Sequence, residues 1–343
     1  MTHIRSLARL LLLTGVAVLP LLHGADPLTI TTPGTLLSGL VGSDYIQALA
    51  ATGGAPPYSW GVQSGSLPAG LSLSASGVIT GTPMSAGTAS FTAGVLDSAG
   101  ASANRAFTLI VIGQTALLRS GVLSHIAAGG GWSSSISLVN SSAATVVVRV
   151  VLHNDDGNNM ALPVTATQGG TSQTVTGSVF DRVVNPYTTL VLEMGSQVAV
   201  TQVGWADVLS SSAISGYAIF RQTMASGLSS EGTVPLQSQF PLTMTLAYDD
   251  TAGSLMGVAI ANLSTSAVIL TVSIWDDSGN QIDTQALNIP GNGHKSFVLP
   301  TQFASTTLKR GIIRFQSPSG GLSGLGLRFS AFGTFTSVPS IQP

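Results

Sequence analysis

The chain reads as all-β: three consecutive antiparallel β-sandwiches of immunoglobulin-like build, the last two an internal duplication. Three observations predict this. First, Gly, Ser, Thr and Val are abundant, while charged residues make up 8% of the chain, far below the typical quarter; such a composition favours strands and turns over helices. Second, apolar residues alternate with a period of two, the mark of a strand with one buried face. Third, residues 117–341 hold one unit written twice. "SSSISLVNSSAATVVVRVVLHNDDG" (133–157) is answered by "MGVAIANLSTSAVILTVSIWDDSG" (256–279), and "SGYAIFRQT" (215–223) with "EGTVPL" (231–236) by "SGLGLRFSA" (323–331) with "FTSVPSI" (335–341). Copies of about a hundred residues are domains in their own right, not solenoid repeats of 20–50 residues.

Residues 1–25 read as an export signal. Arg5 and Arg9 make the charged start, Leu10 to Leu22 the apolar run, and Gly24 and Ala25 the small-residue end. The run falls short of the roughly 20 residues that span a bilayer. Cleavage is expected to leave a mature chain starting near Asp26, secreted or held at the cell surface, with no membrane insertion after signal removal.

Residues 27–112 form a first sandwich. Phe91, Ala93 and Val95 alternate, as do Phe107, Leu109 and Val111, and Gly/Pro/Ser/Asp clusters recur every 8–12 residues. Trp60, on "YSWGV" (58–62), is expected in the core between the sheets. The ordered run "ATGGAPPYSW…SGSLPAGLSLSASGVITGTPMSAGTASFTAGVLDSAG" resembles the bacterial immunoglobulin-like module grouped with cadherin-like domains. That resemblance implies a seven-stranded sandwich acting as a spacer or adhesive unit of exported proteins. Calcium accompanies the cadherin-like group, but Asp44 and Asp97 are the only carboxylates in this segment, too few for an ion wanting six to eight oxygens.

A short segment, "GQTALLRSG" (113–121), leads to repeat A (117–236) and then repeat B (237–341). In B, Val268, Leu270, Val272 and Ile274 alternate with Ile269, Thr271, Ser273 and Trp275; in A, Val146, Val148, Val150 and Leu152 alternate with Val147, Arg149, Val151 and His153. Each strand runs into an acidic turn, "NDDG" or "DDSG", suited to closing a hairpin or tight loop. Strands follow at "MALPVT" (160–165) and "QIDTQALNI" (281–289), then at "TTLVLEM" (188–194) and "KSFVLP" (295–300). About seven strands per repeat are expected, each repeat folding alone or nearly so. The region as a whole is similar to the C-terminal halves of exported, uncharacterised proteins of soil bacteria that pair an immunoglobulin-like module with a repeated "GGGW…VN…DDG…FVLP…GLRF…IP" pattern.

The chemistry is sparse. With no cysteine, disulfides, thiolate metal sites and cysteine nucleophiles are excluded. Beyond residue 25 the formal charge is −4, from 14 acidic and 10 basic residues with no basic stripe, so nucleic acid is not an expected partner. Asp155–Asp156, Asp249–Asp250 and Asp276–Asp277 are explained by turn chemistry and lack the spacing of a calcium loop. A serine hydrolase needs a poised nucleophile, a His and an acid; no G-x-S-x-G occurs, and beyond residue 25 the histidines are His125, His153 and His294. Arg221 and Arg328 occupy matching places in the repeats, where bonding of strand-end carbonyls is expected. No catalytic, cofactor or metal residue is assigned. Trp132, after the glycines of "GGGW" (129–132), and Trp275 are the candidate ligand-stacking residues.

The leading reading is an exported, non-enzymatic surface or matrix binding protein, adhesive in character, whose partner is a surface, glycan or protein. One alternative is a carbohydrate-binding accessory protein with Trp132 or Trp275 as platform; another is a hydrolase with a cryptic site. Exposure of those tryptophans discriminates the first two, and a compact His and acid cluster would favour the third.

Overall fold

The computed structural model describes residues 26–113, 116–195, 197–224, 227–331 and 334–341, and within these the chain is all-β save for one helical turn and a 3-10 turn. The export segment expected at 1–25 lies outside the described residues. The first unit comprises β1 (Thr29–Ile30), β2 (Gly39–Leu40), β3 (Tyr45–Ala48), β4 (Ala51–Thr52), β5 (Ser59–Gly65), β6 (Leu71–Leu73), β7 (Val78–Gly81), β8 (Gly87–Leu96) and β9 (Ser102–Ile112). Its sheets run β2-β9-β8-β5 and β3-β7-β6, with a separate β1-β4 pair. Phe91, Ala93, Val95, Phe107, Leu109 and Val111 all point inward around Trp60, a core residue. One pairing departs from the antiparallel expectation: β2 runs parallel to β9, Gly39 opposite Val111. These strands are joined through the whole unit and not by a tight turn, so no hairpin imposes the antiparallel direction.

Repeat A holds β10 (Leu118–Ala128), β11 (Trp132–Asn140), β12 (Val146–Asn154), β13 (Leu162–Gln168), β14 (Thr171–Gly177), β15 (Val179–Val184), β16 (Thr188–Met194), β17 (Gln202–Ser210), β18 (Ser215–Thr223) and β19 (Ser229–Pro235). Repeat B holds β20 (Thr243–Asp249), β21 (Leu255–Asn262), β22 (Val268–Asp276), β23 (Gln281–Ile289), β24 (His294–Val298), β25 (Arg310–Gln316), β26 (Leu322–Phe329) and β27 (Phe335–Pro339), with the helical turn α1 (Leu299–Gln302) after β24. In A the sheets run β10-β17-β12-β15 and β14-β13-β16-β11-β18-β19; in B they run β20-β25-β22-β23 and β24-β21-β26-β27. With the β13–β14 hairpin set aside, both segments have the strand order 1-6-3-4 and 5-2-7-8; B thus has eight strands and A ten, where about seven were expected in each.

The local bonding repeats as well. The Asn140 amide donates to the carbonyls of Ala144, Val184 and Asn185. Asn262 donates to those of Ser266, Ile289 and Pro290. Both asparagines are fully buried and accept a backbone N–H two residues on.

The acidic turns differ. In B, β22 and β23 pair directly as a hairpin. In A the chain leaves β12 and crosses to the opposite sheet, where β13 pairs with β14 and β16, and β15 takes the place beside β12. An Asx turn sets the local bend and leaves the partner strand open. Here Met160, Leu162, Val164 and Ala166 are carried into the core against the other sheet.

The two sandwiches share apolar surface. Leu325, Leu327 and Phe335 of B lie in the same core as Ile136, Leu138 and Phe220 of A. Trp205 of A packs with Ala261 and Leu263 of B and donates its indole N–H to the Asn292 carbonyl at 2.7 Å. The first unit meets A through Leu40, Val147 and Val183, and the Ser43 hydroxyl donates to the Asp181 carboxylate at 2.8 Å.

Candidate functional site: an outward tryptophan cleft

Burial in β22 follows the expected alternation, with Val268, Leu270, Val272 and Ile274 buried and Ile269, Thr271, Ser273 and Trp275 on the outer face. Register sets their neighbours. Trp275 lies opposite Ile312 and Ser273 opposite Arg314 on β25, while on β20 Ala247 pairs with Ile312 and Asp249 with Arg310. Directly opposed residues share a face, so Trp275, Ile312 and Arg314 are collected on one side of the sheet. The strand end and the acidic turn close a cleft of about 640 Å³ lined by Tyr248, Asp249, Trp275, Asp277, Arg310 and Arg314.

The indole is half-buried, and the Arg314 guanidinium lies over it at 4.7 Å from the ring centroid. This cation–π contact steadies the ring without removing it from solvent. Asp276 holds the turn: its carboxylate accepts the backbone N–H of Asn280 at 2.9 Å and of Ser278 at 3.0 Å, led by Asn280, and these bonds keep it below the usual carboxylate range. Asp277 faces Arg310 at 3.8 Å, both side chains exposed. The Tyr248 hydroxyl donates to the Trp275 carbonyl at 3.2 Å; burial first, then the charges of Asp250, Asp276 and Asp277, push its phenol up to about 12. The cleft thus offers an aromatic surface beside guanidinium donors and carboxylate acceptors.

The other candidate, Trp132, lies elsewhere. Gly129, Gly130 and Gly131 all take positive φ and turn the chain into β11. The ring then stacks on Phe335 at 5.6 Å and Phe220 at 6.2 Å, against the core of A. It lines a smaller cavity at the seam between the sandwiches. The two tryptophans are therefore not brought together.

Other expectations need correction. Arg221 forms an ion pair with Glu231 across β18 and β19, and Arg328 donates to the Ser254 hydroxyl at 3.2 Å; among the described residues both guanidinium groups are taken up by side chains and neither caps a carbonyl. Asp155 serves more than its turn. Asn154 accepts the turn's N–H groups from Asp156 and Asn158, which leaves the Asp155 carboxylate to meet His294 Nδ1 at 2.7 Å. His294 Nε2 lies 3.4 Å from His125 Nδ1, giving an Asp155–His294–His125 line across the seam. This is a compact His and acid cluster of the kind a hydrolase would need, yet among the described residues no serine or threonine hydroxyl bonds to either ring. Arg310, Arg314 and Tyr248 were not singled out by sequence reasoning; the alternation in "RGIIRF" (310–315) was the available signal.

Among the described residues no group of three or more His, Asp or Glu side chains could hold a metal ion. In the first unit, Asp97 is occupied by the N–H groups of Ala55, Ala99 and Ala101 and Asp44 by the Thr82 hydroxyl. A larger cleft of about 710 Å³ lies between the first unit and A. Arg149 and Asp181 there are spent on each other at 2.7 and 2.8 Å, and its aromatic residues, Tyr45 and Phe180, are buried. Among the described residues no helix is long and apolar enough to cross a membrane.

Residues 27–112 match the family model described as "Putative Ig domain". No curated protein matches the chain. Among solved structures, a "putative alpha-galactosidase" of Bacteroides fragilis is similar over 30% of this chain at 20% identity and a TM-score of 0.22, and this chain spans 19% of its length. The SGBP-B protein of a Bacteroides ovatus mixed-linkage glucan utilization locus, solved with a mixed-linkage heptasaccharide, is 14% identical over 87% of this chain and 98% of its own, with a TM-score of 0.19. Protocadherin gammaB7 EC3-6 is 8% identical over 91% of this chain and 73% of its own, with a TM-score of 0.21. Likeness at these scores carries no argument about function.

Proposed function

We propose that this chain is an exported, non-enzymatic glycan-binding protein whose β-sandwiches present the Trp275 cleft as the sugar contact. The observation that carries this reading is the half-exposed indole of Trp275 in a concave outer face, steadied by Arg314 and flanked by Asp277 and Arg310. Pyranose rings present C–H faces that pack on an aromatic surface, while their hydroxyls need donors and acceptors at its edge. Trp132, packed against Phe220 and Phe335, is the lesser platform. The immunoglobulin-like unit at 27–112 fits a spacer that carries this face away from a surface. A neutral sugar offers no charge to the rim, so binding is expected to depend only weakly on salt.

The test is a glycan array with residues 26–343, followed by calorimetry on the strongest hit. Trp275→Ala should weaken that binding at least about tenfold, as loss of one stacking contact would, and Trp132→Ala should leave it within about twofold. Binding unchanged by Trp275→Ala, or no glycan retained in an array that captures a control lectin, would sink this reading.

A further inference from the structure

The seam between the two sandwiches holds a cavity of about 220 Å³ whose walls are mostly apolar. Trp132 and Val203 come from A, and Phe297, Leu327 and Phe329 from B. Among the described residues, the one basic side chain in the wall is His125. Its ring is 4% exposed and held edge-on against Phe220 at 4.9 Å. Behind it, His294 Nδ1 meets the Asp155 carboxylate at 2.7 Å, and His294 Nε2 lies 3.4 Å from His125 Nδ1. Both nitrogens of His294 and Nδ1 of His125 are thereby engaged. His125 Nε2 is left without a protein partner among the described residues, on a ring that forms part of the cavity wall.

We propose that this cavity is a binding site for a small aromatic or alicyclic molecule carrying one hydroxyl, the ring held among Trp132, Phe297 and Phe329 and the hydroxyl hydrogen-bonded to His125 Nε2. Size, polarity and hydrogen bonding each constrain the occupant. An apolar cavity of roughly 150 Å³ accepts benzene, so 220 Å³ takes one ring with a substituent. A charged ligand is excluded by the apolar wall, since a buried charge without a partner is costly. A pure hydrocarbon leaves that imidazole nitrogen unpaired, whereas a hydroxyl, donor and acceptor at once, satisfies it. Sites of this kind favour domain interfaces, and this one exists only because both sandwiches contribute to it.

The probes are p-cresol and its hydroxyl-free counterpart p-xylene, followed through methyl-labelled Val203 and Leu327 by NMR at pH 8. Saturable shifts of both methyls with p-cresol are expected, with p-xylene at least about fivefold weaker. His125→Phe should erase that preference. Ser296→Trp, at an exposed position of the same wall, should abolish the shifts with the fold intact, and stands as the control if His125→Phe does not fold. No saturable shift, equal binding of the two probes, or shifts that survive Ser296→Trp would each overturn the proposal. None of these outcomes touches the Trp275 cleft, which lies on another face.

Discussion

Single residues carry two kinds of information in this protein. Asn140 and Asn262 are fully buried amides that each donate to three carbonyls. Their place in the repeated "VN" and "AN" segments was plain in the sequence, but what they bond to was not. His125 is the opposite case. Nothing in its neighbourhood along the chain marks it, and its partners lie up to 169 residues away. Burial, then the charge of His294, depress its imidazole to about 3, against about 6.5 in an unfolded chain. Between those values the unfolded state binds the extra proton, so the contribution is whole above pH 6.5 and is lost as pH falls toward 3. Urea unfolding from pH 6.5 to 4 should show the wild type losing roughly 2–3 kcal/mol more than His125→Phe, whose common carboxylates cancel in the difference. Parallel pH profiles would mean that the ring is not buried as described.

At the scale of elements, period-two alternation located β12 and β22 and assigned their faces correctly. Leu270 is fully buried in the core of B, while Thr271 points out. Leu270→Asp should therefore cost several kcal/mol by burying an unpaired carboxylate, whereas Thr271→Asp should stay within about 0.5 kcal/mol. Limited proteolysis distinguishes them, and equal sensitivity at both positions would refute the register. Alternation said nothing about partners. The acidic turns look alike, yet one closes the β22–β23 hairpin and the other sends the chain across to β13. Gly157 shows a second demand on that turn. It takes φ of 82°, and a Cβ there would also strike the Gly291 carbonyl of B. The glycine thus serves both the bend and the close approach of the sandwiches.

For the molecule as a whole, the revealing feature is the shared core. Leu325, Leu327 and Phe335 pack among residues of A, so the expectation that each repeat folds alone meets a physical limit. Each such side chain is worth about 1.5–3 kcal/mol of burial, and a domain of this size shifts about 2–4 °C per kcal/mol. Residues 26–239 alone should therefore melt at least about 10 °C below the full chain and bind a hydrophobic dye. A fragment melting within about 3 °C of the parent would show that the sandwiches are energetically independent.

The all-β class, the inward faces of the strands and the two tryptophans worth testing were all determined by the sequence, because composition and side-chain period are local properties of a strand. The neighbours of those tryptophans were decided only in three dimensions. Cross-strand register sets Arg314 over Trp275, while the docking of B on A buries Trp132 beside Phe335 and aligns Asp155, His294 and His125. Contacts between residues more than a hundred positions apart leave no periodic trace, since they depend on which surfaces meet and not on how either strand alternates.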